Sequence, residues 1–241
     1  MLQAIGVSSL TDLVNQVVPE DIRLQRAIEL PPADSEAGYF RHLRSIAAKN
    51  VVSRSYIGLG YHDTITPAVI QRNVFENPGW YTPYTPYQAE IAQGRLESLL
   101  NFQTMVSDLT GMEVANASLL DEATAAAEAM TLLKRVSKKT TANTFLVSER
   151  VFPQVRELIV TRAKPLGIEL KFVNPAAALS FDDAFGLYLQ SPDDRGEVHD
   201  FTAVMSAAHD AGVLVAVGAD LLASVVITSA GAMGADVGVG K

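Results

Sequence analysis

The chain has 241 residues, 48% of them hydrophobic, no cysteine, and a formal net charge of −8. That length holds one large domain or two small ones around a real core, and a charged fraction of 19% with slightly positive mean hydropathy excludes a disordered chain. The 27 acidic residues outnumber the 19 basic ones and no basic block occurs, so nucleic acid is not an expected partner. Without cysteine there is no disulfide framework, Cys-ligated zinc, iron–sulfur cluster or Cys nucleophile, which fits a reducing compartment.

The opening run MLQAIGVSSLTDLVNQ has no basic stretch leading into an apolar one and is not a secretory signal. Val213–Ala232 is the most apolar stretch, but Asp220 and several glycines interrupt it, so no membrane span is expected. A cytoplasmic protein is the resulting expectation. Residues 1–50 read as a helical arm. Ser9-Leu-Thr-Asp12 fits a capping box, with Leu10, Leu13, Val14 and Val17 at helical spacing until Pro19. Pro31-Pro32 forms a linker, and Ser35 caps a second helix carrying Phe40, Leu43 and Ile46.

Residues 51–87 are broken by glycine and proline. Helix resumes over Gln88–Thr110, with Gly111 at the position after its end. Met112–Ala117 reads as a short strand, and Ser118-Leu-Leu-Asp121 as a capping box for a helix over Ala123–Lys138. Strands then follow at Thr144–Val147, Ile168–Val173, Phe185–Gln190, Val213–Gly218 and Val237–Val239. Helices over Pro153–Leu166 and Asp200–Ala211 lie between them, closed by Gly167 and Gly212. This alternation predicts an α/β fold with a parallel sheet covered on both faces, over residues 51–241.

The four histidines, His42, His62, His199 and His209, show no metal-ligand spacing among themselves. His62 lies in an aromatic-rich loop where it can orient a substrate; His199 and His209 read as a helix start and a solvated face. Gly58-Leu-Gly60 lacks the third glycine of a dinucleotide fingerprint, and Gly234–Lys241 has the wrong spacing for a P-loop. Between Asn77 and Gln88, four aromatics and three prolines share twelve residues, with Tyr81, Tyr84 and Tyr87 at every third position. In an extended, proline-stiffened loop these line one edge, as a binding wall or as packing between domains. Asp121 and Glu122 put two carboxylates at the start of the Ala-rich helix, where an anion would otherwise sit, so a well-capped helix is favoured over a phosphate cup. Asp220 follows an apolar strand, where it can hold a protonated ring nitrogen or cap the next turn.

The runs SYIGLGYHDTITPAVIQRNVFENPGWYTPYTPYQAEIAQGRLESLLNFQTM and LTGMEVANASLLDEATAAAEAM resemble the glycine cleavage system P-protein, the PLP-dependent glycine decarboxylase. The resemblance extends from IGVSSLTDLVNQVVPEDIR to GADVGVG and covers about a quarter of the long single-chain form. It implies the large domain of a fold type I PLP-dependent transferase, incomplete, preceded by the helical arm. It also implies that this chain is part of the N-terminal half, with PLP held by the C-terminal half and none bound covalently here. Lys241 does not match the family's cofactor-lysine motif, and the family continues beyond it, so a truncated product or a fragment needing a partner is expected.

The activity implied is decarboxylation of glycine, with PLP as electron sink and aminomethyl transfer to lipoyl H-protein. In that reading Tyr81, Thr82, Tyr84, Thr85, Tyr87 and Gln88, with His62, contact substrate or the lipoyl arm. The partners are the C-terminal half or a full-length P-protein, H-protein and glycine. The rival expectation is a non-catalytic module that binds or regulates P-protein or H-protein.

Overall fold

Alternating runs of β-branched and aromatic residues with helical segments produce five strands, all parallel. They are β1 (Thr144–Ser148), β2 (Glu169–Val173), β3 (Ala184–Ser191), β4 (Leu214–Ala219) and β5 (Val237–Gly240). A computed structural model defines this structure, and it describes residues 1–241 apart from Pro83, Pro86, Ala117 and Lys241. The chain divides into two compact units, Met1–Arg54 and Ser55–Lys241.

In the first unit, α1 (Leu2–Ile5) and α2 (Leu10–Val17) precede a single 3₁₀ turn at Glu20–Ile22 and α3 (Glu36–Ala47). Ser9 and Ser35 cap α2 and α3 as their sequences predict, accepting from the amides of Asp12 and Gly38. The apolar stripe of α3, with Tyr39, Phe40, Leu43 and Ile46, is exposed.

In the second unit, α4 (Ala68–Ile70) runs into a π-type turn at Gln71–Phe75, and α5 (Gln93–Thr110) starts five residues later than its periodicity suggests. Residues 88–92 form turns instead, the amides of Ile91 and Ala92 bonding back to the Gln88 carbonyl. Met112–Asn116 forms no strand; the rest of that expected element, Ala117, lies outside the described residues. The sheet is carried by α6 (Glu122–Val136), α7 (Pro153–Leu166), α8 (Thr202–Asp210) and α9 (Ala230–Met233). The cap of α6 is Asp121, whose carboxylate accepts the Thr124 amide at 2.7 Å. Ser118 gives its hydroxyl to the Leu119 carbonyl, so the expected Ser118 capping box does not form.

The strand order is β2-β1-β3-β4-β5. One face packs on α6 and α7 through Met130, Leu133, Phe145, Val147, Ile159 and Tyr188; the other packs on α8 and α9 through Leu146, Leu187, Met205, Val215 and Met233. Gly186 is a packing requirement: a Cβ there would come within 2.8 Å of the Phe145 ring, which stacks on Phe185 with centroids 5.4 Å apart. Among the described residues no helix is long and apolar enough to cross a membrane.

Candidate functional site

Because β2 and β3 lie on opposite sides of β1, the chain reverses its direction of growth between β1 and β3. Loops leaving the carboxyl ends of two such strands separate and open a crevice, the usual ligand position in open α/β sheets. A cleft of about 350 Å³ lies there. Phe152, after β1, Pro192–Gly196, after β3, Glu122 of α6 and Asp220, after β4, are among its lining residues. The loop Gly58–His62 completes the wall. Three successive residues, Gly58, Leu59 and Gly60, hold positive φ there, and Gln154 anchors the turn by donating to the Leu59 carbonyl at 3.1 Å.

The polar groups of the cleft are locked together. Asp193 is buried, and its Oδ1 accepts the amides of Arg195 (2.8 Å) and Glu197 (3.0 Å). Its Oδ2 meets His199 Nε2 at 3.0 Å and the Arg150 Nε–H at 3.2 Å. Burial alone would raise the pKa of this carboxyl, but the His199 and backbone hydrogen bonds and the Arg150 charge outweigh it and bring it to about 2. Arg150 Nη2 also lies 2.9 Å from Asp194 Oδ1, an ion pair whose angles fall outside hydrogen-bond geometry. Asp193, Glu197 and His199 gather within metal-ligand reach of one another. With Arg150 on the same Asp193 oxygen, the set works as a staple for the loop after β3.

Across the cleft, Gln190 Nε2 donates to Glu122 Oε1 at 3.0 Å, tying the end of β3 to the start of α6. Asp220 does what a turn cap does: its Oδ1 accepts the Ala223 amide at 3.0 Å, while its Oδ2 meets His62 Nε2 at 3.2 Å. Burial opposes ionisation of Asp220, but these partners win and its pKa is lowered. The His62–Asp220 pair also forms one wall of an adjoining, more open hollow of about 500 Å³, which reaches Leu109 and Val225.

Of the seven residues expected to contact substrate or the lipoyl arm, His62 is the one among the described lining residues of these hollows; Glu122 and Asp220, also noted in the sequence, line the first. Tyr81, Tyr84, Thr85, Tyr87 and Gln88 are exposed and Thr82 half-exposed, in turns before α5. Arg95 holds the ribbon by donating to the Tyr84 carbonyl at 2.6 Å. Pro83 and Pro86, on which the extended-loop reading depends, lie outside the described residues. The sequence did not reveal the partners of His199 and His209. His209 Nε2 reaches Asp236 Oδ2 at 2.8 Å, 27 residues on, and no local spacing signals such a pair.

The donor set of the cleft does not suit a pyridoxal phosphate. A phosphate at the start of α6 would meet the Asp121 cap and the buried Glu122 carboxylate. Asp220, which could face a ring nitrogen, is engaged by His62 and Ala223, and no lysine is among the described lining residues.

An open parallel α/β sheet with its crevice at the β1/β3 reversal places the second unit among the large domains of fold type I PLP enzymes, and a solved structure makes the match specific. An inhibitor-bound glycine decarboxylase (P-protein) of the glycine cleavage system superposes with a TM-score of 0.83 at 33% identity, over all of this chain and 55% of that one. The family profile of the glycine cleavage system P-protein matches residues 1–241, and the chain belongs to that family. Glycine dehydrogenases (decarboxylating) from Thermosynechococcus vestitus and a Synechocystis species are 55% and 56% identical to it over its whole length. One from Dechloromonas aromatica is 56% identical. The chain spans about a quarter of the length of these relatives, at 24–25%.

Proposed function

We propose that this chain serves glycine decarboxylation in the glycine cleavage system as the N-terminal scaffold and part of the active-site wall, in the cytoplasm. The observation that carries the proposal is identity of about 55% to glycine dehydrogenases (decarboxylating) across every part of the chain. PLP belongs to the C-terminal half of the longer protein. The carboxylates at the start of α6 support that assignment, and no step of the reaction is given to this cleft. Residues 1–50 act as an arm and residues 51–241 as the large domain.

The wall is the ribbon Tyr81, Thr82, Tyr84, Thr85, Tyr87 and Gln88, with His62. Phenol rings exposed on an anchored ribbon offer apolar area with few rotatable bonds and a hydroxyl at the tip, which suits a face that must exclude water yet orient a polar substrate. The groups it would meet are glycine and the lipoyl arm of H-protein. The test is co-expression of this chain with the part of the Synechocystis relative that follows the matched region, assayed for glycine-dependent CO2 release with lipoyl H-protein and PLP. Release that requires both pieces is expected. If the C-terminal piece is as active alone, the wall is not needed and a non-catalytic, regulatory module is the better description.

A further inference from the structure

The tyrosine ribbon between Asn77 and Gln88 is fixed at both ends by short-range bonds. At the first end Asn77 turns the chain. Its Oδ1 accepts the Gly79 amide at 2.9 Å, its carbonyl accepts the Trp80 amide at 2.9 Å, and its Nδ2 donates to the Asn73 carbonyl at 3.3 Å. At the other end the Gln88 carbonyl takes the amides of Ile91 and Ala92, and buried Ala92 leads into α5. Between the ends, the Tyr84 amide donates to Thr82 Oγ1 and the Gln88 amide to the Thr85 carbonyl. Each of these bonds spans four residues or fewer, so none ties the middle of the ribbon back to α5. Arg95 supplies that tie: half-buried on the first turn of α5, it donates from Nη2 to the Tyr84 carbonyl, 11 residues back.

The helix itself gains nothing from an arginine at this position. Arg95 is the third residue of α5, at the positive end of the helix dipole, where acidic side chains are favoured and cations are not. That turn has no acidic residue and no side-chain cap. None of the ion pairs among the described residues includes Arg95. Helix stability therefore does not account for a cation here, whereas the need for a rigid, planar donor to a carbonyl does.

We infer that Arg95 is a positioning residue for the proposed reaction: by holding the Tyr84 carbonyl it sets how the ribbon presents its tyrosine rings. The inference rests on the reading of the ribbon as an active-site wall. Arg95 touches no reacting group in this account and acts through the main chain of the ribbon. A ribbon ordered before its ligand arrives loses less entropy on binding. Removing Arg95 therefore weakens binding more than it slows turnover, an effect that a purely structural role would not produce.

The test follows Arg95→Ala in two settings. In the ¹⁵N-labelled chain, the heteronuclear NOE of the Tyr84 and Thr85 amides should fall, while the melting temperature stays within about 2 °C because the lost cation opposed the dipole. In the co-expressed pieces, supplied with PLP, KM for glycine or for lipoyl H-protein should rise about fivefold or more, the worth of one hydrogen bond, with kcat held within about twofold. Should Arg95→Ala not give a native-like spectrum, Arg95→Lys, which keeps the charge but not the planar fork, is the substitute, with a rise of about threefold expected. An unchanged NOE, or a loosened ribbon with both KM values unchanged, would overturn the inference. Tyr81→Ala and Tyr87→Ala in the same assay separate the two failures. If they lose activity while the Arg95 variant keeps its KM values, the wall stands and the positioning role falls. If they too are fully active, the wall reading fails and takes this inference with it.

Discussion

His62 Nε2 lies 3.2 Å from Asp220 Oδ2, across 158 residues of sequence, and this contact fastens the glycine-rich loop to the end of β4. Gln154 also holds the loop, donating to the Leu59 carbonyl. Asp220→Ala should therefore raise amide exchange at Gly60–Asp63 about tenfold, with the strands still protected. The substitution also removes the Ala223 cap, for a global cost of about 1 kcal/mol. Unchanged exchange in the loop would show that the pair does not hold it.

Asp193 is the buried centre of the loop after β3, so truncating it takes from Arg150 and His199 the carboxylate they share and leaves the Arg195 and Glu197 amides without their acceptor. Asp193→Ala should cost about 3 kcal/mol or more in chemical denaturation. A loss below about 1 kcal/mol would mean that the staple is not a buried network.

The same carboxyl sets an acid limit. Its pKa of about 2 in the fold lies below the ordinary value of 3.8. The stability it contributes is thus complete above the unfolded value and is lost as pH falls through the folded one. About 2 kcal/mol should disappear between pH 4 and pH 2. Asp193→Asn should flatten that part of the stability profile, which denaturation at several pH values would reveal.

Much of the fold was legible in the chain. Ser9 and Ser35, the glycines closing α5 and α7, and all five strands stand within about two residues of where sequence spacing puts them, because each depends on near neighbours. Asp121 took the cap from Ser118 because its carboxylate reaches the Thr124 amide. The cleft was only half legible. The carboxylates at 121 and 122 announce themselves locally, whereas Gln190–Glu122 and Asp193–His199–Arg150 exist only once the parallel sheet gathers its carboxyl ends.

Glycines mark two close approaches. A Cβ on Gly218 would crowd Tyr188 Oη and come within 2.7 Å of Gln190 Oε1, side-chain atoms with some freedom to move. One on Gly231 would press on the backbone of Thr110 and Gly111, 2.5 Å from the Gly111 carbonyl carbon. Gly218→Ala should cost about 1–3 kcal/mol and Gly231→Ala more, read as a shift in denaturation midpoint. The reverse order would mean that the contact between α5 and α9 yields more readily than the Tyr188 and Gln190 side chains.

For the tyrosine ribbon the expected signature is activity lost without stability. Tyr81→Ala and Tyr87→Ala remove exposed rings, so melting should be nearly unchanged. Glycine-dependent CO2 release by the co-expressed pieces should fall at least tenfold. Parallel losses of activity and melting temperature would make the ribbon packing and not a wall.

The central claim, that this chain frames a cofactor held elsewhere in the longer protein, is tested most directly by titrating the purified chain with PLP, reducing with borohydride and mapping the modified lysines by mass. The account predicts no lysine labelled stoichiometrically and saturably, only scattered partial labelling that follows exposure. One lysine carrying a full equivalent of the cofactor would contradict it and make this chain a cofactor-binding subunit itself.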